Sequence, residues 1–291
     1  MNGELVSVII PTFNRLAKLK IALKSIFFQT YNNIEIVIVD NVSNDGTKNF
    51  VYQNYGKKVK FREINNGGNI AKSRNLGIKH SSGSILAFLD SDDYWKSTKI
   101  EKSVQLIKKG YDLVYHDMYL HQRSHQLFYK KTGYTRNLGN NVFTDLINNG
   151  PAFPTSSVVV KKKIFEDVGN FSENPELITW EDYDAWIKIS KKTNSFIKLS
   201  ETLGYLGIGN DNYLKIDNRI KNIFSFSEKY LNKSDLPQWC ILSLVKDYFK
   251  SNHFILAYNQ ILKINFMKLK FYDLIKIFYI LFVVKLYFFF K

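Results

Sequence analysis

Short runs of β-branched and aliphatic residues alternate with amphipathic stretches through the first 120 residues of the chain. The runs "LVSVII" (5–10), "IEIVIVD" (34–40), "KVKFREI" (58–64), "SILAFLD" (84–90) and "YDLVYHD" (111–117) predict strands. Between them, residues 16–29, 47–55, 70–81 and 97–110 carry a helical period. Near-continuous apolar strands alternating with helices imply an α/β fold: a mostly parallel sheet with helices on both faces. The pattern loosens over 118–180, where short strands are expected at 126–131 and 155–163. A helix over 180–192 and a strand over 196–206 follow, and beyond Ile216 the chain reads as helical and aromatic to its end. The expected organisation is a domain over 1–212, with halves 1–117 and 118–212, and a C-terminal helical extension over 213–291.

Composition narrows the class. With 45% hydrophobic and 23% charged residues in 291, the chain has enough apolar matter for a large core and is not a disordered polymer. Its 41 Lys and Arg outnumber 26 Asp and Glu, a net charge of +15. That excess suits phosphate-rich partners: nucleic acid, an anionic membrane surface or a phosphorylated substrate. Lysines that merely solvate a surface also account for it. One cysteine, Cys240 in "QWCILSL", forms no internal disulfide and fits a reducing compartment. The start, "MNGELVSVIIPTFNR", lacks the charge pattern, apolar stretch and small-residue site of a signal peptide.

The candidate chemistry begins at "ILAFLDSDDYW" (85–95), where Asp90, Asp92 and Asp93 end an apolar strand. Residues two apart on an extended chain point to the same side, so Asp90 and Asp92 converge, while Asp93 points away and is expected to serve the turn. Two such carboxylates make a hard-oxygen site for Mg²⁺ or Mn²⁺. The competing reading is an Asp-rich turn that caps the next helix. Open parallel sheets bind ligands beyond the carboxyl ends of their strands, which is where this cluster falls.

Four segments stand in order, "VSVIIPTFNR" (6–15), "VDNVSNDGT" (39–47), "NNGGNIAKSRNLGI" (65–78) and "AFLDSDDYW" (87–95), and a fifth, "VGNFSENPELITWEDYDAWIKIS" (168–190), follows. Together they resemble the family-2 glycosyltransferases, inverting enzymes of the GT-A fold that build bacterial surface polysaccharides. The resemblance covers residues 5–190. It implies that Pro11, Thr12 and Phe13 line a base pocket, with Asp40 and Asn41 near base and ribose. Many relatives carry a second Asp where this chain has Asn41. Asn66, Gly67 and Arg74 would border the nucleotide. Asp90-Ser91-Asp92 would be the aspartate motif, Asp92 contacting the Mn²⁺ or Mg²⁺ directly and Asp90 serving ribose and metal. Locally, "NDGT" (44–47) also reads as a turn with a cap at Thr47, and "NNGG" (65–68) as a tight turn with positive φ.

The Glu181-Asp182 pair can be weighed by helix geometry. At about 100° per residue, Asp182 falls within the arc of Tyr183, Ala185, Trp186, Ile187 and Ile189, while Glu181, Asp184 and Lys188 fall opposite. An inward carboxylate beside a second acid has a raised pKa, as a general base needs. Asp182 is therefore expected to be the base, and Glu181 a supporting or acceptor-contacting residue. His116, His121 and His125 straddle a strand and a loop and make a poor metal set without nearby cysteines. The basic residue and histidine that relatives often carry after the following strand are missing from "LGYLGIGNDN" (203–212).

From Lys250 to Lys291 there are seven lysines and one acid, Asp273, amid aromatics. Within 264–291 the longest uncharged run, Ile277 to Val284, is far short of the ~20 residues a spanning helix needs. A peripheral anchor on an anionic membrane surface is the expected role, with packing on a second copy of the chain as the alternative. The combined expectation is a cytoplasmic enzyme at the inner face of a bacterial membrane. It would move a sugar from a nucleotide-sugar donor (a UDP- or dTDP-sugar) to a glycan or polyprenyl-diphosphate-linked acceptor, with no nucleic-acid partner. Its rival is a catalytically silent protein of the same fold that binds a membrane surface or nucleic acid. Sugar-phosphate nucleotidyl transfer is disfavoured, because "PTFNRLAK" (11–18) lacks the glycine-rich loop it needs.

Overall fold

Seven buried residues in succession, Val6–Thr12, form the first strand, β1. Around it the computed structural model builds α1 (Leu16–Phe27), β2 (Ile34–Asp40), α2 (Thr47–Tyr55), β3 (Val59–Glu63), α3 (Ile70–Lys79) and β4 (Ile85–Phe88). Then come β5 (Tyr94–Trp95), α4 (Lys99–Lys108), β6 (Leu113–His121), β7 (Lys130–Lys131), α5 (Val142–Asn149), β8 (Val159–Lys161) and α6 (Lys162–Asp167). The last elements are α7 (Glu181–Ser190), β9 (Phe196–Gly207), α8 (Ile216–Leu231), α9 (Gln238–Lys250), α10 (Phe254–Ile261) and α11 (Phe271–Phe289). The structure describes residues 3–121, 130–131, 135–207, 216–231, 235–269 and 271–289. Most of the strand expected at 126–131, His125 and the end of "LGYLGIGNDN" lie outside the described residues.

The strands run in the order β3-β2-β1-β4-β8-β6-β9-β5, with β7 beside β6. β1, β2, β3 and β4 are mutually parallel, as the alternation of apolar runs with helices implies. Past β4 the sheet is mixed: β8 is antiparallel to both β4 and β6, β9 is parallel to β6, and β5 closes antiparallel on β9.

Alternation along β1 assigns its residues to two faces. Val6, Val8 and Ile10 share a cluster with Leu19 and Leu23 of α1, Val51 of α2 and Ile100 and Val104 of α4. On the other face Ile9 meets α3 at Gly77, where an added Cβ would lie 2.5 Å from the Ile9 Cγ2 atom. Phe88 there packs on Phe165 of α6, Phe171 and Trp186 of α7, with ring centroids 5.1–6.3 Å apart.

The chain divides into two compact units, Met1–Phe143 with Pro151–Asn212, and Thr144–Gly150 with Tyr213–Lys291. The second is helical. Its core joins Ile241 and Val245 of α9, Ile261 of α10, and Ile277, Ile280 and Val284 of α11. Buried Asp247 is held there by Arg219. Opposite its buried face, α11 exposes Phe271, Ile275, Phe278, Tyr279 and Phe282, each more than half accessible. Among the described residues no helix is long and apolar enough to cross a membrane.

Candidate active site

The order in which strands are added reverses at β1, although β1 runs parallel to both of its neighbours. β2 and β3 build outward on one side of β1, whereas β4 is added on the other. The crevice at the carboxyl ends of β1 and β4 is thus a topological switch point, the usual ligand site of an open sheet. The acidic turn 90–93 lies there, closed by the Asp93 N–H donating to the Asp90 carbonyl at 2.9 Å.

Each carboxylate of this turn has its own partners. Asp90 accepts from Arg74 Nη2 at 2.7 Å. Asp92 accepts from Arg15 Nη1 at 2.9 Å, with Lys18 Nζ at 3.8 Å. Burial, and then the charge of Asp90, push the Asp92 pKa up, while Arg15 and Lys18 pull it down. Asp93 is buried and accepts from the Gly207 N–H at 2.8 Å, which pins the end of β9 to the turn. A Cβ at Gly207 would come within 2.2 Å of the Asp92 carbonyl, so β9 reaches the turn only with glycine at that position. Asp93 thus shapes the turn, as expected. Ser91 is buried beside it.

Arg74 connects this turn to α7. Its guanidinium is almost fully buried, lies 5.3 Å from the Phe171 ring centroid, and donates to Glu181 Oε1 at 2.6 Å as well as to Asp90. Glu181 is therefore not on a polar face: it is 4% exposed, and Asp184 is 2% exposed. The helical-wheel expectation for these two is corrected because α7 is covered on nearly every side, and Arg74 brings a cation into the core to meet Glu181. Burial, and the neighbouring Asp182 charge, raise the Glu181 pKa to about 7 against the pull of Arg74.

Asp182 is the more accessible of the pair. One carboxylate oxygen accepts from the Tyr183 N–H at 2.7 Å and the other from Thr155 Oγ1 at 2.6 Å. Burial raises its pKa, while Arg74 and Thr155 oppose the shift. Thr155 belongs to the 3₁₀ turn Thr155–Ser157, in a stretch expected to be a strand throughout; only Val159–Lys161 pairs in the sheet, and Lys162 already starts α6. The same turn places Ser156, whose hydroxyl accepts from the Asp90 N–H at 3.0 Å and whose carbonyl accepts from Trp95 Nε1 at 2.8 Å. Sequence reasoning missed Thr155 and Ser156; the one local signal was hydroxyl residues directly after Pro154, a turn-forming combination.

A second group lies at the ends of β1 and β2. Pro11 and Thr12 are buried, Phe13 is 47% exposed, and Thr12 Oγ1 finds no hydrogen-bond partner among the described residues. Asp40 is fully buried, its carboxylate accepting from the Ser43 N–H at 2.9 Å and from the Ser43 hydroxyl. Burial raises its pKa. The amide oxygen of Asn41 accepts from the Asn66 N–H at 2.9 Å, so this residue secures the 65–68 turn. Gly67 and Gly68 take φ of 61° and 83°, as that turn was expected to need. The turn ahead of α2 departs from expectation: Gly46 is the N-cap, and Thr47 is the first helical residue, its N–H and hydroxyl donating to Asp45 at 3.2 and 2.6 Å, while Asp45 also accepts from the Leu16 N–H at 2.8 Å. His116 is buried with Nδ1 2.9 Å from the Asp117 carbonyl.

No group of three or more His, Cys, Asp or Glu poised for a metal occurs among the described residues. The oxygen donors of Asp90 and Asp92 fit an ion of another habit, a Mg²⁺ or Mn²⁺ that takes one or two carboxylates and fills its shell from substrate phosphates.

Residues 7–169, more than half of the chain, match Glycosyl transferase family 2. The chain belongs to that family. An uncharacterised glycosyltransferase of Rickettsia conorii is 33% identical over 196 residues, 64% of this chain and 31% of the relative. The UDP-Glc:alpha-D-GlcNAc-diphosphoundecaprenol beta-1,3-glucosyltransferase WfaP of Escherichia coli is 29% identical over 191 residues, 65% of this chain and 71% of that one. The chain spans less than two thirds of the length of the Rickettsia relatives, 31% and 61% for those of R. conorii and R. typhi. S. aureus TarS 1–349 in complex with UDP-GlcNAc superposes with a TM-score of 0.62 at 19% identity, covering 84% of this chain and 73% of TarS 1–349. These likenesses establish the GT-A fold for this family-2 glycosyltransferase chain.

Proposed function

We propose that the chain transfers a sugar from a nucleoside-diphosphate sugar to a hydroxyl of a lipid-linked or oligosaccharide acceptor, with inversion at the anomeric carbon. The observation that carries this reading is the single network joining the Asp90 turn, Arg74, Glu181, Asp182 and Thr155 at the sheet's switch point. Pro11, Thr12, Phe13, Asp40, Asn41, Asn66 and Gly67 hold the nucleoside, and Ser91 supports the turn beneath it. When bound by Asp92 with Asp90 beside it, Mn²⁺ or Mg²⁺ supplies positive charge at the diphosphate. Asp182 accepts the acceptor's hydroxyl proton as that oxygen bonds to the anomeric carbon. The bond from that carbon to the diphosphate oxygen breaks, and its electron pair leaves with the nucleoside diphosphate. Glu181, fixed by Arg74, holds α7 and with it Asp182. The relative WfaP is named for a UDP-glucose donor and a diphosphoundecaprenol-linked acceptor, which favours that pair of classes here.

Screening UDP-, dTDP- and GDP-sugars with a polyprenyl-diphosphate-linked GlcNAc acceptor tests the reading. Acceptor-dependent release of one nucleoside diphosphate is expected, with a β-linked product from an α-linked donor; an α-linked product overturns the single displacement. Asp92→Ala is expected to weaken metal-dependent nucleotide binding about tenfold or more, read by calorimetry with and without Mn²⁺.

The exposed face of α11 is assigned to an anionic bilayer surface at the cytoplasmic side of the membrane. Its aromatics suit the interfacial zone, and the net charge of +15 complements anionic head groups. The full chain is expected to sediment with phosphatidylglycerol vesicles and not with phosphatidylcholine vesicles, and Phe278→Ser with Phe282→Ser to lose the binding. A monodisperse dimer that ignores both vesicles refutes the assignment and selects the second copy.

A further inference from the structure

Two cations in the first unit serve no role in the network around Asp182, yet both sit on the acidic turn. Arg15 precedes α1 and Lys18 lies in its first turn; both reach Asp92, 77 positions away for Arg15, across the crevice between β1 and β4. Three residues apart at a helix start, they share one side. Their side chains are 20% and 32% exposed and that of Asp92 is 16% exposed, so the pairs stand at the crevice wall and not in the core.

Their backbone is held by the neighbouring loop. The Asn14 N–H donates to Ser43 Oγ at 2.8 Å, Asn14 Oδ1 accepts from the Asn44 N–H at 2.8 Å, and Asp45 takes the Leu16 N–H. Asn14 adopts φ of 47°, a left-handed conformation that turns the chain sharply before Arg15. Three residues of the β2–α2 loop, Ser43, Asn44 and Asp45, thus fix the segment that presents the two cations. That is more anchoring than two solvated surface charges require.

We propose that Arg15 and Lys18 form the diphosphate-binding corner of the donor site, exchanging Asp92 for the phosphate oxygens when donor arrives. The inference rests on the nucleotide-sugar reading above and extends it to residues that reading does not use. A partly exposed ion pair is weakly held and readily exchanged. A diphosphate offers more negative charge than one carboxylate, and the guanidinium fork of Arg15 matches two phosphate oxygens where Lys18 supplies a point charge. The exchange also frees the Asp92 oxygen that Arg15 occupies. It explains how the chain manages without a basic residue in "LGYLGIGNDN" (203–212): positive charge comes from the start of α1 instead.

Calorimetric titration of the full chain with UDP and UMP, and with GDP and GMP as a second pair, provides the test. Wild type is expected to bind one diphosphate more tightly than its monophosphate. Arg15→Ala and Lys18→Ala are each expected to lower the diphosphate affinity about tenfold, and the double variant to abolish the preference over monophosphate. Arg15→Lys should retain part of that preference, and Arg15→Gln should behave as Arg15→Ala, with thermal unfolding of each variant as the check on folding. Folded variants that keep the wild-type ratio of diphosphate to monophosphate affinity overturn the inference. A wild type that binds none of the four nucleotides overturns the nucleotide-sugar reading itself, and the assignment of Arg15 and Lys18 with it.

Discussion

Asp182→Asn is expected to lower kcat for glycosyl transfer about 10³-fold while leaving donor affinity within a factor of two or three. The amide keeps the shape of the carboxylate and can still accept from Thr155 Oγ1 or the Tyr183 N–H, contacts that now run at 2.6 and 2.7 Å. What it loses is the capacity to take a proton. Glu181→Gln should cost far less in kcat, because Glu181 is buried against Arg74 and has less access to an acceptor hydroxyl. The pH profile gives a second readout. Burial raises the Asp182 pKa, and a base works only when deprotonated, so the rate falls as pH drops through that raised value. Thr155→Val removes a hydrogen bond that favours the charged form; the pKa rises further, and the acid limb moves to higher pH. A full-rate Asp182→Asn enzyme, or a limb unmoved in Thr155→Val, removes Asp182 from the role of base.

The parallel half of the sheet was legible because β1, β2 and β4 are near-continuous apolar runs and the edge strand β3 alternates, signals that depend on nothing outside each run itself. The 65–68 turn and the turn role of Asp93 were legible for the same reason: Asn-Gly-Gly and Asp-rich turns are local chemistry. Thr155 and Ser156 were not. Their contacts reach 27 residues to Asp182 and 66 to Asp90, and the β-branched residues after them imitate a strand. Glu181 misled for a related reason. A helical wheel assumes one buried face, whereas α7 is enclosed nearly all round and its acid meets a cation 107 residues earlier. The two-residue strand β5 exists only through its pairing with β9, which no window centred on residues 94–95 contains. Helices of the second unit followed from their period, but which side of α11 is covered depends on α9 and α10.

Arg74→Met is expected to cost about 3–5 kcal/mol of stability near pH 8, because it strands Glu181 in the core and deprives Asp90 of its partner. The loss should depend on pH in a specific direction. Glu181 already has a pKa near 7 with Arg74 present, raised first by burial. Without the guanidinium it rises further, so the folded variant holds the proton where the unfolded chain has released it. A carboxyl with a raised folded pKa loses stability as pH climbs from its unfolded value to its folded one. The variant should therefore approach wild type near pH 5 and fall away through pH 7 and above, where the wild-type contribution has levelled off. Urea unfolding at pH 5, 7 and 9 reads this directly. Adding Glu181→Gln removes the buried charge and should recover most of the stability at pH 8 without restoring transfer, since Asp90 still lacks Arg74. A double variant as unstable as Arg74→Met alone would place the cost elsewhere, in the packing of the guanidinium on Phe171, 5.3 Å from the ring centroid. Arg74 would then be a core-filling residue, and the charge link between the acidic turn and α7 would lose its energetic meaning.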